Sequence, residues 1–212
     1  MSKTTKLLTY VGVAALAFGL GAASPASAAT TTPPAASDVP SDVQTEIDAI
    51  PLPSLQAKVQ ERVDQLADEG AQVAAIEYAP YAADSPAHGG AVTMALPSGC
   101  GLVVVAFLSG SGAQMVNEAL TDCGSKTWTR HTLRQRIVAW NPYNSLDPRR
   151  TMLDETNTSY STASYRVRAV SYSCANGNST NYSMYAAATI TVGGTAYSTN
   201  AEDVYGFAPC GW

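Results

Sequence analysis

The pattern of apolar and polar positions divides the chain into a helical segment followed by a longer β segment. Within residues 41–70, Val43 and Ile47 are four positions apart, as are Leu55 and Val59. This spacing places apolar side chains on one face of a helix. The segment therefore predicts a pair of short helices whose apolar stripes pack on the domain that follows.

From residue 71 onward the pattern becomes that of strands. The continuous apolar run at residues 101–108 predicts a central strand buried on both faces. Apolar residues alternate with polar ones from 182 to 192, and Gly193-Gly194 then suits a two-residue hairpin turn. By contrast, the apolar spacing over residues 115–120 predicts a short connecting helix. With further strands in between, residues 71–212 are expected to form a mainly β domain, an antiparallel β-sandwich.

In the strand predicted near residue 170, the apolar residues do not all fall on one face. Tyr165 and Val167 alternate with polar neighbours, but Tyr172 and Cys174 fall on the opposite parity. A regular strand sends these two sets to opposite faces. We expect either a bulge near 169–171 or a second half that is covered on both sides.

The first 28 residues have the features of a secretory signal peptide. Lys3 and Lys6 precede an apolar stretch, and Ala26-Ser27-Ala28 supplies small residues for cleavage. The apolar stretch is short for a membrane span, which needs about 20 residues. Residues 29–40 then form a Thr/Pro/Ala-rich leader that we expect to be flexible. No later segment is long and apolar enough to span a membrane after signal removal.

The exported part contains four cysteines, Cys100, Cys123, Cys174 and Cys210. An exported protein with an even number of cysteines is expected to form disulfides, and no spacing typical of a metal site is present. Three pairings are possible. Sequential pairing closes the shorter loops, so we favour Cys100 with Cys123 and Cys174 with Cys210.

The order of Cys123, Trp140, Tyr172 and Cys174 resembles the immunoglobulin-type sandwich at the level of pattern. That resemblance implies a different bridge, between Cys123 and Cys174. The architecture supports many unrelated roles, so it implies no particular function.

Charge limits the range of partners. The chain carries 12 Lys plus Arg against 17 Asp plus Glu, and removal of Lys3 and Lys6 with the signal peptide makes it more acidic. General nucleic-acid binding needs a basic surface and is not expected. The basic residues are nevertheless concentrated between residues 126 and 168. Neighbouring strands could display them as one patch, facing either a ligand or the acidic helix residues 61–69.

We interpret this region as the candidate ligand-binding surface of the protein. An alternative, which we favour for His131, is an exposed strand whose charges are solvated or paired across the sheet. The candidate ligand-binding residues are Trp128, Arg130, His131, Arg134, Arg136, Arg166 and Arg168.

The search for catalytic chemistry gives weaker candidates. His88 and His131 are the two histidines, and neither accompanies a recognisable nucleophile motif. The carboxylate pairs Asp154-Glu155 and Glu202-Asp203 are adjacent in sequence, so their side chains point in opposite directions on a strand. No catalytic residue, cofactor or metal is predicted.

The sequence thus predicts a secreted bacterial protein, extracellular or associated with the cell wall, whose role is non-catalytic binding. An anionic envelope polymer or a secreted protein is the expected partner. Two alternatives remain open. One is a secreted hydrolase with His131 as base, and the other is a secreted protease inhibitor that presents the loop Pro97–Gly101.

Overall fold

The computed structural model of the chain describes residues 39–83, 99–140 and 149–212. The predicted signal peptide, residues 1–28, lies outside these ranges, as does most of the predicted leader. Two helices come first, α1 (Ser41–Asp48) and α2 (Pro53–Asp68), in agreement with the predicted helical pair. Within the described ranges, no helix is long and apolar enough to cross a membrane.

Nine strands follow in the described part of the chain. They are β1 (Gln72–Pro80), β2 (Ala82–Ala83), β3 (Gly101–Leu108), β4 (Gln114–Asp122), β5 (Arg130–Trp140), β6 (Arg149–Ser159), β7 (Tyr165–Ser173), β8 (Asn176–Val192) and β9 (Thr195–Gly211). Sheet A has the order β1-β3-β4-β7, and sheet B has the order β2-β9-β8-β5-β6. Neighbouring strands are antiparallel throughout. The predicted mainly β fold with two antiparallel sheets is confirmed.

Sheet A is covered on both faces, by the helices on one side and by sheet B on the other. Along β3, Leu102 and Val104 belong to the core between the sheets, while Val103 and Val105 belong to the core beneath the helices. Burial on both faces explains why this strand is apolar without alternation. At its start, a Cβ on Gly101 would lie 2.6 Å from the Tyr78 ring and 2.9 Å from Leu55, so a glycine allows α2 to pack closely.

The helix predicted at residues 115–120 is instead part of β4. Met115 and Ala119 point into the core between the sheets, whereas Val116 and Leu120 point into the core beneath the helices. Because both faces of β4 are covered, both carry apolar side chains. The resulting spacing imitates the period of a helix.

The structure shows which apolar residues of β7 are buried, and the answer is not the one that the sequence predicted. Its pairing with β4 keeps one unbroken register from end to end, so no bulge intervenes. Tyr165 and Val167 are 37% and 41% exposed, and it is the opposite parity, with Val170 and Tyr172, that packs in the core between the sheets. The apolar residues that start the strand therefore lie on the helix side of sheet A, partly exposed, with Lys58 of α2 over the Tyr165 ring at 4.1 Å from its centroid.

Both preferred disulfides are present. Cys100–Cys123 joins the residue before β3 to the residue after β4, at one end of sheet A. Cys174–Cys210 joins the residue after β7 to β9 and so links sheet A to sheet B. The bridge implied by the immunoglobulin resemblance is excluded, because both of its cysteines are bonded elsewhere.

Candidate functional site

The predicted binding residues on and before β5 divide between the two faces of sheet B. Arg130, Arg134 and Arg136 lie on the outward face, which faces away from sheet A. His131 is fully buried on the inward face, and Trp128 is 1% exposed, with its ring centroid 5.1 Å from the His131 ring. The prediction that His131 is exposed on its strand is therefore wrong, because alternation along β5 turns this side chain into the core.

The other two predicted residues, Arg166 and Arg168, lie on β7 and point toward sheet B. Their strand pairs with β4 of sheet A, so it is not a neighbour of β5 as expected. Arg168 donates to Gln135 Oε1 at 3.0 Å and to Glu155 Oε2 at 2.7 Å. Acidic and polar groups of sheet B, rather than the acidic helix residues 61–69, thus receive this arginine.

A chain of hydrogen bonds connects Arg166 to the interior. Its guanidinium bonds to Asn157 Oδ1 and, at 2.8 Å, to His131 Nδ1. The other ring nitrogen, Nε2, lies 3.1 Å from Thr121 Oγ1, which is itself 3.2 Å from the Tyr81 hydroxyl. Four strands, β4 to β7, and the residue between β1 and β2 therefore contribute to one series of hydrogen bonds that joins the two sheets.

The hydrogen bonds that His131 makes with Arg166 and Thr121 fix its tautomer. An arginine can only donate, so Nδ1 must accept and the proton must reside on Nε2, which donates to Thr121. Burial, and secondarily the charge of Arg166, lower the pKa of His131 to about 4. At neutral pH His131 is uncharged, and its basic nitrogen is already occupied by Arg166.

The outward face of sheet B carries a transverse row of charged and aromatic side chains. Strand pairing aligns Asp154, Arg136, Tyr185 and Glu202 across β6, β5, β8 and β9. Arg136 lies over the Tyr185 ring, 5.6 Å from its centroid. Asp154 receives two hydrogen bonds from Arg134, at 2.8 and 2.6 Å, and these bonds lower the pKa of the carboxyl.

A shallow groove of about 230 Å³ runs beside this row where β5 ends and β6 begins. Arg149 lies over the Trp140 ring at 5.6 Å from its centroid. Arg136 enters the same groove, and its Nε has no hydrogen-bond partner among the described residues. The nearest oxygen of Asp154 is 3.9 Å from that nitrogen, beyond hydrogen-bonding distance. The groove thus holds two guanidinium groups backed by aromatic rings, with the carboxylate of Glu202 also in its lining.

Hydroxyl groups cover the part of the outward face that lies farther from the groove. Thr132 and Thr158 are joined at 3.1 Å, and Thr189 and Ser198 at 2.9 Å. All four side chains are partly exposed. This part of the sheet offers donors and acceptors for a hydroxylated ligand.

The arrangement of carboxylates on this face does not suit glycoside hydrolysis. Asp154 and Glu202 are separated by three strand intervals, or about 14 Å at the usual spacing between strands. Catalytic carboxylates lie about 5–9.5 Å apart. Glu202 also accepts a hydrogen bond from Ser183. The side chain of Asp203, like all of His88, lies outside the described residues.

Sequence reasoning did not assign Trp140, Arg149, Tyr185 or Glu202 to the binding surface. A usable signal existed for Trp140, since it has the same parity on β5 as Arg134 and therefore lies on the same face. The remaining three come from other strands. Their alignment depends on the register between strands, which the sequence does not display.

A second recess, of about 360 Å³, lies between the helices and the edge of the β domain. It is lined by Val39, Pro40, Val63, Ala67, Ala71, Gln72, Val73 and Tyr205. Gln72 and the Tyr205 hydroxyl are its polar side-chain groups, so it has little to orient a charged or sugar ligand. Within the described ranges, no group of three or more His, Cys, Asp or Glu residues is placed to hold a metal ion.

Comparison with known proteins gives no relative to support an assignment. No protein-family model, no curated protein and no solved structure matches the chain.

Proposed function

We propose that this chain is a secreted, non-catalytic protein that binds an anionic polymer of the cell envelope through the outward face of sheet B. The observation that supports it best is the groove where β5 ends and β6 begins. There Arg136 and Arg149 lie over aromatic rings in a recess of about 230 Å³. The two disulfides are in keeping with an oxidising, extracellular compartment.

The chemistry of the groove favours an acidic ligand. A guanidinium presents a planar fork of donors that matches carboxylate and phosphate groups, and it does so best when its own side chain is held in place. Tyr185 and Trp140 hold the two arginines through cation–π contacts. The hydroxyl-covered part of the face would add hydrogen bonds to a sugar. Because the face is long and open, an extended polymer suits it.

The buried position of His131 supports binding over hydrolysis. A general base needs a free lone pair within reach of a substrate proton. Here the lone pair accepts a hydrogen bond from Arg166, and the ring lies between the sheets. The hydrolase hypothesis therefore loses the base on which it depended. The loop Pro97–Gly101 of the inhibitor hypothesis lies partly outside the described residues.

Retention on isolated envelope polymers tests the proposal. Arg149→Met keeps much of the side-chain volume but removes the charge, and we expect retention to fall at least about tenfold, equivalent to about 1.4 kcal/mol. Arg130→Met is the matched control, because Arg130 lies on the outward face at the start of the neighbouring strand β5, outside the groove, and over the Tyr160 ring. Equal retention of both variants and the unmodified protein would reject the groove as the binding site.

A further inference from the structure

Two opposite charges line the groove where β5 ends, yet they are not paired with each other. Arg136 lies on β5, and Glu202 lies on β9. Strand pairing places Tyr185 of β8 between them, so their backbones are two strand intervals apart, or about 9.5 Å at the usual spacing between strands. The ion pairs formed among the described residues do not include one between Arg136 and Glu202. The groove therefore presents both charges to a ligand.

Each of the two charged groups keeps unused bonding capacity. Arg136 Nε is buried without a hydrogen-bond partner among the described residues, and leaving a buried donor unpaired is costly. Glu202 accepts a hydrogen bond from the Ser183 hydroxyl, but no Lys or Arg in the described ranges forms a salt bridge with it. A carboxylate can accept about four hydrogen bonds. Arg136 thus lacks an acceptor, and Glu202 lacks a cation.

The floor between these two charges is uncharged. Val138 on β5 pairs with Thr151 on β6 and with Ser183 on β8, and all three residues line the groove. Arg149 lies on the β6 side, over the Trp140 ring. The groove therefore has a cationic side, formed by β5 and β6, and an anionic side, formed by β9.

We propose that the groove binds a zwitterionic unit of the polymer, in which one repeat carries both an anionic group and a primary ammonium group. This inference rests on the proposed function and narrows the class of ligand. The anionic group lies between Arg136 and Arg149, where Arg136 Nε gains the acceptor that it lacks. The ammonium group donates to Glu202. A repeat with negative charge alone would leave Glu202 without a cation and would be repelled by it.

The binding of two small phosphate esters of equal length tests the inference. Aminohexyl phosphate carries an ammonium group at the end of its chain, and hydroxyhexyl phosphate carries a hydroxyl group there. NMR titration of the oxidised chain without residues 1–28, at low salt and followed at the Trp140 indole N–H, gives both affinities. We expect the ammonium ester to bind at least about threefold more tightly, because a partly exposed ion pair changes affinity by a factor of this order.

The outcomes separate this inference from the proposed function. Equal affinities of the two esters would overturn the inference but would leave the groove as a site for anions. If neither ester bound, both the inference and the groove as an anion site would be overturned. Rejection of the groove as the polymer site has its own experiment, the equal retention of Arg149→Met and the unmodified chain.

The variant Glu202→Gln tests which group recognises the ammonium. Glutamine can still accept the hydrogen bond from Ser183, but it carries no charge. We expect the preference for the ammonium ester to disappear. Glu77→Gln is the matched control, because Glu77 is an exposed residue of β1 outside the groove and its replacement changes the net charge equally. A preference that survives in Glu202→Gln, or one that disappears in Glu77→Gln, would contradict the assignment.

Discussion

Asn117 and Gln135 each donate hydrogen bonds across the space between the two sheets, and one of those from Gln135 is accepted by the main-chain carbonyl of Asn117. Asn117, on β4 of sheet A, donates through Nδ2 to the main-chain carbonyls of Arg136 and Tyr185 in sheet B, at 3.0 and 2.9 Å. Gln135, on β5 of sheet B, donates through Nε2 to the carbonyls of Asn117 and Arg168 in sheet A, at 2.9 and 3.0 Å. These reciprocal bonds set the position of one sheet on the other.

Replacement of Gln135 by leucine should lower the free energy of unfolding by about 2 kcal/mol. The change approximately preserves the side-chain volume. It removes the partner of one Arg168 N–H donor and of the main-chain carbonyls of Asn117 and Arg168. Denaturant unfolding measures the effect. Gln114→Leu, an exposed position on β4, is the matched control and should change stability by less than about 0.5 kcal/mol. Equal effects of the two substitutions would contradict the role of Gln135.

Acid should destabilise the fold through His131. Its pKa is about 4 in the folded state, against the ordinary histidine value of 6.5, so the unfolded chain binds more protons at any pH between these values. The contribution of His131 to the free energy of unfolding should therefore be fully present above about pH 6.5. It should decrease as the pH falls and become constant below about pH 4. The full loss is about 3 kcal/mol.

The variant His131→Gln isolates this contribution. A glutamine can accept from Arg166 and donate to Thr121, yet it does not titrate. Denaturant unfolding at several pH values between 4 and 7 should show a smaller decrease for the variant than for the unmodified chain. Parallel curves for the two proteins would show that His131 is not the titrating group.

Replacing only Arg62 in the Arg62–Glu118 pair should lower the free energy of unfolding, whereas replacing both residues should change it little. The Glu118 side chain is 3% exposed, and Arg62 Nε lies 2.7 Å from its Oε1. Arg62→Met leaves a buried carboxylate unpaired and should cost about 3 kcal/mol of unfolding free energy. Adding Glu118→Leu should recover most of that loss. A double variant as unstable as the single one would contradict this account.

Loss of the Cys174–Cys210 bridge should destabilise the sandwich by about 4 kcal/mol, since it closes a loop of 36 residues and links the sheets. The comparison is between Cys174→Ala/Cys210→Ala and the oxidised chain in denaturant unfolding. Cys100→Ala/Cys123→Ala is the matched control, with a shorter loop of 23 residues and an expected loss of about 3 kcal/mol. A loss below about 1 kcal/mol for the first pair would show that the link is dispensable.

Local pattern was enough to predict the elements with one covered face or with clear boundaries. The two helices have regular apolar stripes, and β8 places Tyr182, Met184 and Ala186 on one buried face. The turn at Gly193-Gly194 is also confirmed, with Val192 paired to Thr195. In these cases the period of the sequence and the period of the structure coincide because a single apolar surface is buried.

Prediction failed where burial depended on distant parts of the chain. β4 is covered on both sides, so its apolar residues lose the period of a strand, and Glu118 and Asp122 are buried with partners on α2. On β7, arginines face inward because sheet B supplies His131, Gln135 and Glu155 to receive them. The candidate surface was divided for the same reason. A strand pattern shows parity, but it does not show which sheet a strand joins.

The most direct test of the proposed function measures retention of the oxidised chain without residues 1–28 on isolated anionic envelope polymers at low and high salt. The unmodified chain should be retained at about 50 mM salt and released by about 200 mM or more, since charge pairs between protein and polymer displace counterions. Arg136→Met/Arg149→Met should weaken retention and reduce its dependence on salt. No retention at low salt, or retention that neither salt nor this variant changes, would contradict the proposal.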